Sequence, residues 1–186
     1  MRRLLALLLG TVLVAGGVFA LLLAFNARDD AGVGGQGAPA GPGRVQPDLG
    51  SRHLDAGQHV PLEGLTDPPT SGAHHDRLPT REGRLSPDEI LHALELGDVI
   101  LFYDARSPPA ALRSLQRDVS GPFDPEVAAA GQQVILARRP SPPGAGPVTA
   151  AAWRRLLRAG DPADPRLREF AEAWIGRGAR HTPQSG

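Results

Sequence analysis

The chain of 186 residues contains no cysteine. That excludes disulfides, thiolate metal sites, iron–sulfur ligation and a cysteine nucleophile. Its only methionine is Met1, so a methionine-rich copper site is excluded as well. Lysine is absent too, and every basic side chain is an arginine. These arginines are scattered and balanced by Asp and Glu, giving a formal net charge of zero. Nucleic-acid binding needs a basic surface that displaces counterions, and no such excess exists here. Aromatics make up 4% of the residues, so the few that occur at helical spacing, Trp153 and Trp174 above all, read as core. No glycine-rich phosphate loop stands between a strand and a helix. Ser71 lacks the G-x-S-x-G setting of a hydrolase nucleophile, and no catalytic residue is assigned.

What is present begins with an uncharged run, Leu4 to Phe25. About 22 residues at 1.5 Å each reach about 33 Å, enough for a hydrocarbon core of about 30 Å. Arg2 and Arg3 precede the run, and Arg28, Asp29 and Asp30 follow it. The positive-inside bias then keeps the N-terminus cytoplasmic and the remainder extracytoplasmic, as in a single-pass protein of a bacterial cytoplasmic membrane. A cleaved signal peptide is the competing reading, but cutting after Ala20 would leave Leu21–Leu23 as an apolar stump. Four parts follow: an anchor (1–29), a Gly/Pro-rich tether (30–50), a domain (51–178) and a frayed tail (179–186). The membrane is one expected partner, through residues 4–25, and an envelope protein is another.

Within the domain, residues 51–85 are rich in turn-formers and read as extended chain and loop. Ser86-Pro87-Asp88-Glu89 is a helix start: Ser caps, Pro opens the first turn and Glu stands three residues after the cap. Gly97 stops that helix. Val99–Tyr103 and Gln133–Ala137 read as buried strands, and Pro108-Pro109 opens a helix between them. Thr149 is expected to cap a helix carrying Trp153, Leu156 and Leu157, and Asp164-Pro165 to start a last one. The expectation is a small α/β fold with a parallel βαβ unit and C-terminal helices, preceded by one transmembrane helix; α+β is the alternative.

Three segments together, PPTSGAHH (Pro68–His75), ILHALELGDVILFYD (Ile90–Asp104) and TAAAWRRLL (Thr149–Leu157), resemble the bacterial family called domain of unknown function 3105. The resemblance runs from about His53 to about Arg177. It implies an N-terminal membrane segment followed by one domain, with no established biochemical function. His53, His74, His92 and Glu95 match positions of the family pattern. Where that pattern reads H-x-L-E-H-G, this chain has Leu96 in place of the second His.

Five of the six histidines lie between positions 53 and 92. Imidazole is a common ligand for zinc and copper, and a carboxylate can complete such a set. His92 and Glu95, at i and i+3, share one face of the expected helix. With His53 and His74 they would give three nitrogens and one oxygen, suited to a Zn or Cu ion. Against this, no H-E-x-x-H and no His pair at i, i+4 occurs, and structural histidines bonded to carbonyls would fit the same spacing. Three functions stand open: an extracytoplasmic binding module, a structural or interaction scaffold of the envelope, and, ranked last, an enzyme.

Overall fold

The computed structural model describes residues 40–61, 63–140 and 146–179. The expected anchor and most of the tail lie outside these residues. Among the described residues, no helix is long and apolar enough to cross a membrane.

Five strands form one mixed sheet. In chain order they are β1 (Arg44–Val45), β2 (Val99–Tyr103), β3 (Val134–Arg138), β4 (Val148–Ala152) and β5 (Arg155–Ala159). Among the described residues four helices accompany them: α1 (Pro87–Leu96), α2 (Ala110–Ser120), α3 (Pro125–Ala129) and α4 (Pro165–Trp174). The spatial strand order is β1-β5-β4-β2-β3. β2 and β3 are parallel, with Val99 opposite Val134 and Tyr103 opposite Arg138, as expected of strands joined through helices. The β2–β4, β4–β5 and β1–β5 pairings are antiparallel.

Period-two alternation divides the core. Val99, Leu101 and Tyr103 of β2 and Val134 and Leu136 of β3 pack with Leu112 and Leu115 of α2 and Leu167, Phe170 and Trp174 of α4. The intervening Ile100, Phe102, Ile135 and Ala137 pack with Ile90, Ala93 and Leu94 of α1 and Ala128 of α3. A strand covered on both faces must be apolar throughout, and β2 is buried at all five positions.

The capping box of α1 forms as expected: Ser86 Oγ accepts from Glu89 N, and the Glu89 carboxylate accepts from Ser86 N. The expected helix at Thr149 does not form. Its residues are the β4–β5 hairpin, turning at Trp153-Arg154 with Ala152 opposite Arg155. Ala, Arg and Leu favour a helix when nothing else decides. Here β4 fits between β2 and β5, and Ala150 and Ala151 are small enough to lie under helices on both faces. Arg154 takes the left-handed region (φ 57°) with no glycine to mark the turn. Its N–H donates to Thr70 O (2.9 Å) and its carbonyl accepts from Gln46 N (2.9 Å), so tertiary bonds hold a conformation the local sequence disfavours.

The expected tether also ends earlier than residue 50. Arg44–Val45 pair with β5, and Trp174 Nε1 donates to Pro42 O (2.8 Å). A Cβ at Gly41 would stand 2.5 Å from Trp174 Cζ2, so the glycines that read as flexibility permit close approach instead. At the opposite end of the sheet Gly83 bridges to Ala137: Gly83 N donates to Leu136 O and Arg138 N to Gly83 O. The Glu82 carboxylate accepts from Leu136 N (2.8 Å).

One buried carboxyl stands apart from these pairings. Asp98, fully enclosed between α1 and β2, accepts from Gln133 N through Oδ1, while Oδ2 has no hydrogen-bond partner. Burial pushes its pKa up to about 8.

Candidate metal centre

The residues between β1 and α1 carry much of the site, and among those described they form no helix and no strand beyond isolated bridges. Two stretches of this segment run side by side. Gly72 N donates to Gly50 O, His74 N to Arg52 O and Leu54 N to His74 O, at 2.8, 3.1 and 2.8 Å. These bonds set His53 beside His74 as a parallel bridge.

The P-P-T-S-G turn is structural. Gly72 has a φ of +136°, and a Cβ there would come within 2.9 Å of Leu65. Ser71 Oγ donates to Pro47 O and accepts from Leu49 N, which commits its hydroxyl to tying down the chain. His75 is turned away from His74. Its N–H and Nδ1 both donate to Asp88 Oδ1 on the first turn of α1 (2.7 and 3.0 Å). Burial alone would raise the Asp88 carboxyl, but the bonds from His75 leave it below its ordinary value. The loop is thereby pinned to the helix that carries the other half of the site.

All four sequence-expected groups meet. One donor atom from each of His53, His74, His92 and Glu95 lies within 4.8 Å of every other. Glu95 Oε2 is 2.9 Å from His53 Nε2, 3.0 Å from His74 Nε2 and 3.6 Å from His92 Nδ1. The three ring centroids are 5.1, 5.4 and 5.5 Å apart, with the rings inclined at 70°, 57° and 56°. His74 is fully buried, His92 and Glu95 nearly so, and the His53 side chain is 46% exposed at the mouth. His59 is exposed and contributes nothing to the cluster. Leu96 supplies no donor, and the four groups come together without the second His of the family pattern.

Hydrogen bonding fixes which nitrogens face inward. His74 Nδ1 donates to the Gly72 carbonyl (2.9 Å), so in the neutral ring the Nε2 lone pair points at Glu95. His92 Nε2 lies 2.9 Å from Asp76 Oδ1 as an ion pair, so Nδ1 is the nitrogen turned toward Glu95. That Nδ1 is buried and has no hydrogen-bond partner. Burial holds the His92 pKa below the ordinary imidazole value, against the pull of Asp76 and Glu95, and so favours the neutral ring. Asp76 and the Gly72 carbonyl are the orienting partners that sequence reasoning missed. Asp76 directly follows the His74-His75 pair, but nothing in that spacing says that it reaches His92.

A mixed α/β domain with a three-histidine, one-glutamate cluster, buried except for His53, is thus the class that fold and site define. The family model described as "Protein of unknown function (DUF3105)" matches residues 53–186, and the chain belongs to that family. No curated protein and no solved structure matches the chain.

Proposed function

We propose that this protein is a membrane-anchored, extracytoplasmic metal-binding module, holding one zinc or copper ion through His53, His74, His92 and Glu95. One observation carries the reading: Nε2 of His53 and of His74 and Nδ1 of His92 all converge on one Glu95 carboxylate oxygen, and the buried His92 Nδ1 has no hydrogen-bond partner. Electron pairs facing one another in a water-poor site repel unless protons or a metal ion sit among them, and His92 Nδ1 has no hydrogen-bond partner. A single metal ion answers all four donors at once. The outward hydrogen bond of His74 to a carbonyl and the ion pair of His92 with a carboxylate are the kind of supports that metal-binding imidazoles ordinarily have. The anchor rests on the apolar run at 4–25 and its flanking charges.

The test is metal content. Full-length protein, purified in detergent without a polyhistidine tag and dialysed against trace zinc and copper, should carry about one equivalent, by the four-donor count. His74→Ala/His92→Ala should carry none while keeping its circular-dichroism spectrum. Equal metal in parent and variant, or none in either, refutes the reading and returns the histidines to a purely structural role.

A further inference from the structure

We infer that the ion is a four-coordinate tetrahedral zinc whose role is structural, fastening the segment between β1 and α1 onto the helix. This rests on the metal-binding reading above and extends it to the ion's geometry and purpose.

Three imidazoles pointing at one ion have ring centres set by the angle between their bonds. With a metal–nitrogen distance of about 2.05 Å and the ring centre about 1.15 Å behind the nitrogen, tetrahedral angles place the centres about 5.2 Å apart. Right angles, as in octahedral or tetragonal sites, place them about 4.5 Å apart. The observed 5.1, 5.4 and 5.5 Å fit the tetrahedral value at every pair. The carboxylate does not separate the two: its oxygen would stand about 3.3 Å from each nitrogen at tetrahedral angles and about 2.9 Å at right angles, and Glu95 Oε2 is at 2.9, 3.0 and 3.6 Å, so the geometry rests on the ring centres. Copper(II) favours tetragonal arrangements and copper(I) soft sulfur donors, and this chain offers no cysteine and no methionine beyond Met1. Zinc has no such preference to oppose the tetrahedron.

The role follows from where the ligands lie. Catalytic zinc keeps a position open, whereas here four protein donors close the shell. His92 and Glu95 sit on α1, which the sheet already holds through Ile90, Ala93 and Leu94. His53 and His74 belong to two loop stretches joined to each other by three backbone bonds. An ion joining these donors closes both stretches onto the helix, in a part of the chain whose described residues form no strand or helix of their own to secure it.

Cobalt(II) substitution and amide exchange on the full-length chain test the inference together. One equivalent of cobalt should give visible bands roughly tenfold stronger than an octahedral ion shows, by ligand geometry. Stripping the ion with a chelator should speed exchange at Leu54, Gly72 and His74 by about tenfold or more, leaving Leu101 and Ile135 unchanged, because only the loop opens. His53→Ala, which replaces the exposed ligand, should shift the cobalt spectrum toward a water-bearing site while the core amides stay protected. Weak octahedral bands, or loop exchange indifferent to the ion, overturn the structural-zinc inference and leave metal binding standing. No uptake of zinc, copper or cobalt overturns both.

Discussion

At the scale of single residues, the polar groups divide by what burial asks of them. Asp76 is largely exposed yet aims His92, so its value lies in orientation. Asp76→Asn keeps an acceptor but loses the charge, and zinc affinity measured by chelator competition should fall by about 10- to 100-fold, the usual cost of an outer-shell change. An unchanged affinity would mean that the helix alone orients the ring. Asp98 raises the opposite problem. Its pKa lies near 3.8 in an unfolded chain and about 8 in the fold. Between those values the folded state keeps a proton that the unfolded state has released, so stability falls as pH rises from about 4 to about 8 and then levels off. Asp98→Asn retains the acceptor for Gln133 N without the titration. Thermal melts at pH 5, 7 and 9 should show the variant more stable than the parent at pH 7 and above, with a flatter profile between pH 5 and pH 8. Parallel profiles would contradict the assignment.

Secondary-structure elements show where sequence information is local and where it is not. Ser86→Ala removes the cap of α1 and should lower stability by about 1 kcal/mol in denaturant titration. The same change should leave the visible spectrum of the cobalt-loaded protein unaltered, because His92 and Glu95 lie one and more turns downstream; a changed spectrum would show that the cap reaches the site. That helix was legible because its start signals, apolar spacing and terminal glycine all agree within a dozen residues. β2, α2, β3 and α4 were legible for the same reason. The β4–β5 hairpin was not. Its alanines and arginines carry helical preference, and the bonds that hold Arg154 in its turn come from Thr70 and Gln46, far away in the chain. The short α3 lay between two clearer elements and has one buried residue, Ala128, too few to make a pattern. At the site, i, i+3 spacing placed His92 and Glu95 on one helical face. Nothing local revealed which ring nitrogens face inward, since the answer depends on a carbonyl at Gly72 and a carboxylate at Asp76.

On the scale of the whole molecule, the boundary of the folded unit differs from the boundary of glycine-rich composition. Residues 41–45 cover Phe170 and Trp174 and extend the sheet by a strand. A protein beginning at residue 47 should therefore unfold about 1–3 kcal/mol more easily than one beginning at residue 40, the range expected when a large aromatic side chain loses its cover. Equal denaturation midpoints would restore the strand to the tether.

The sheet's two ends also bear on how such molecules behave when crowded. A strand with free backbone donors and acceptors invites another chain to add itself, the route to edge-to-edge aggregation. Beside β3 the Gly83 backbone and the Glu82 carboxylate already occupy the groups of Leu136 and Arg138 that an incoming strand would use. At the far end, β1 offers a template of two residues, too brief to seed stacking. Neither end of this sheet therefore offers an incoming chain a long free strand to extend into a fibril.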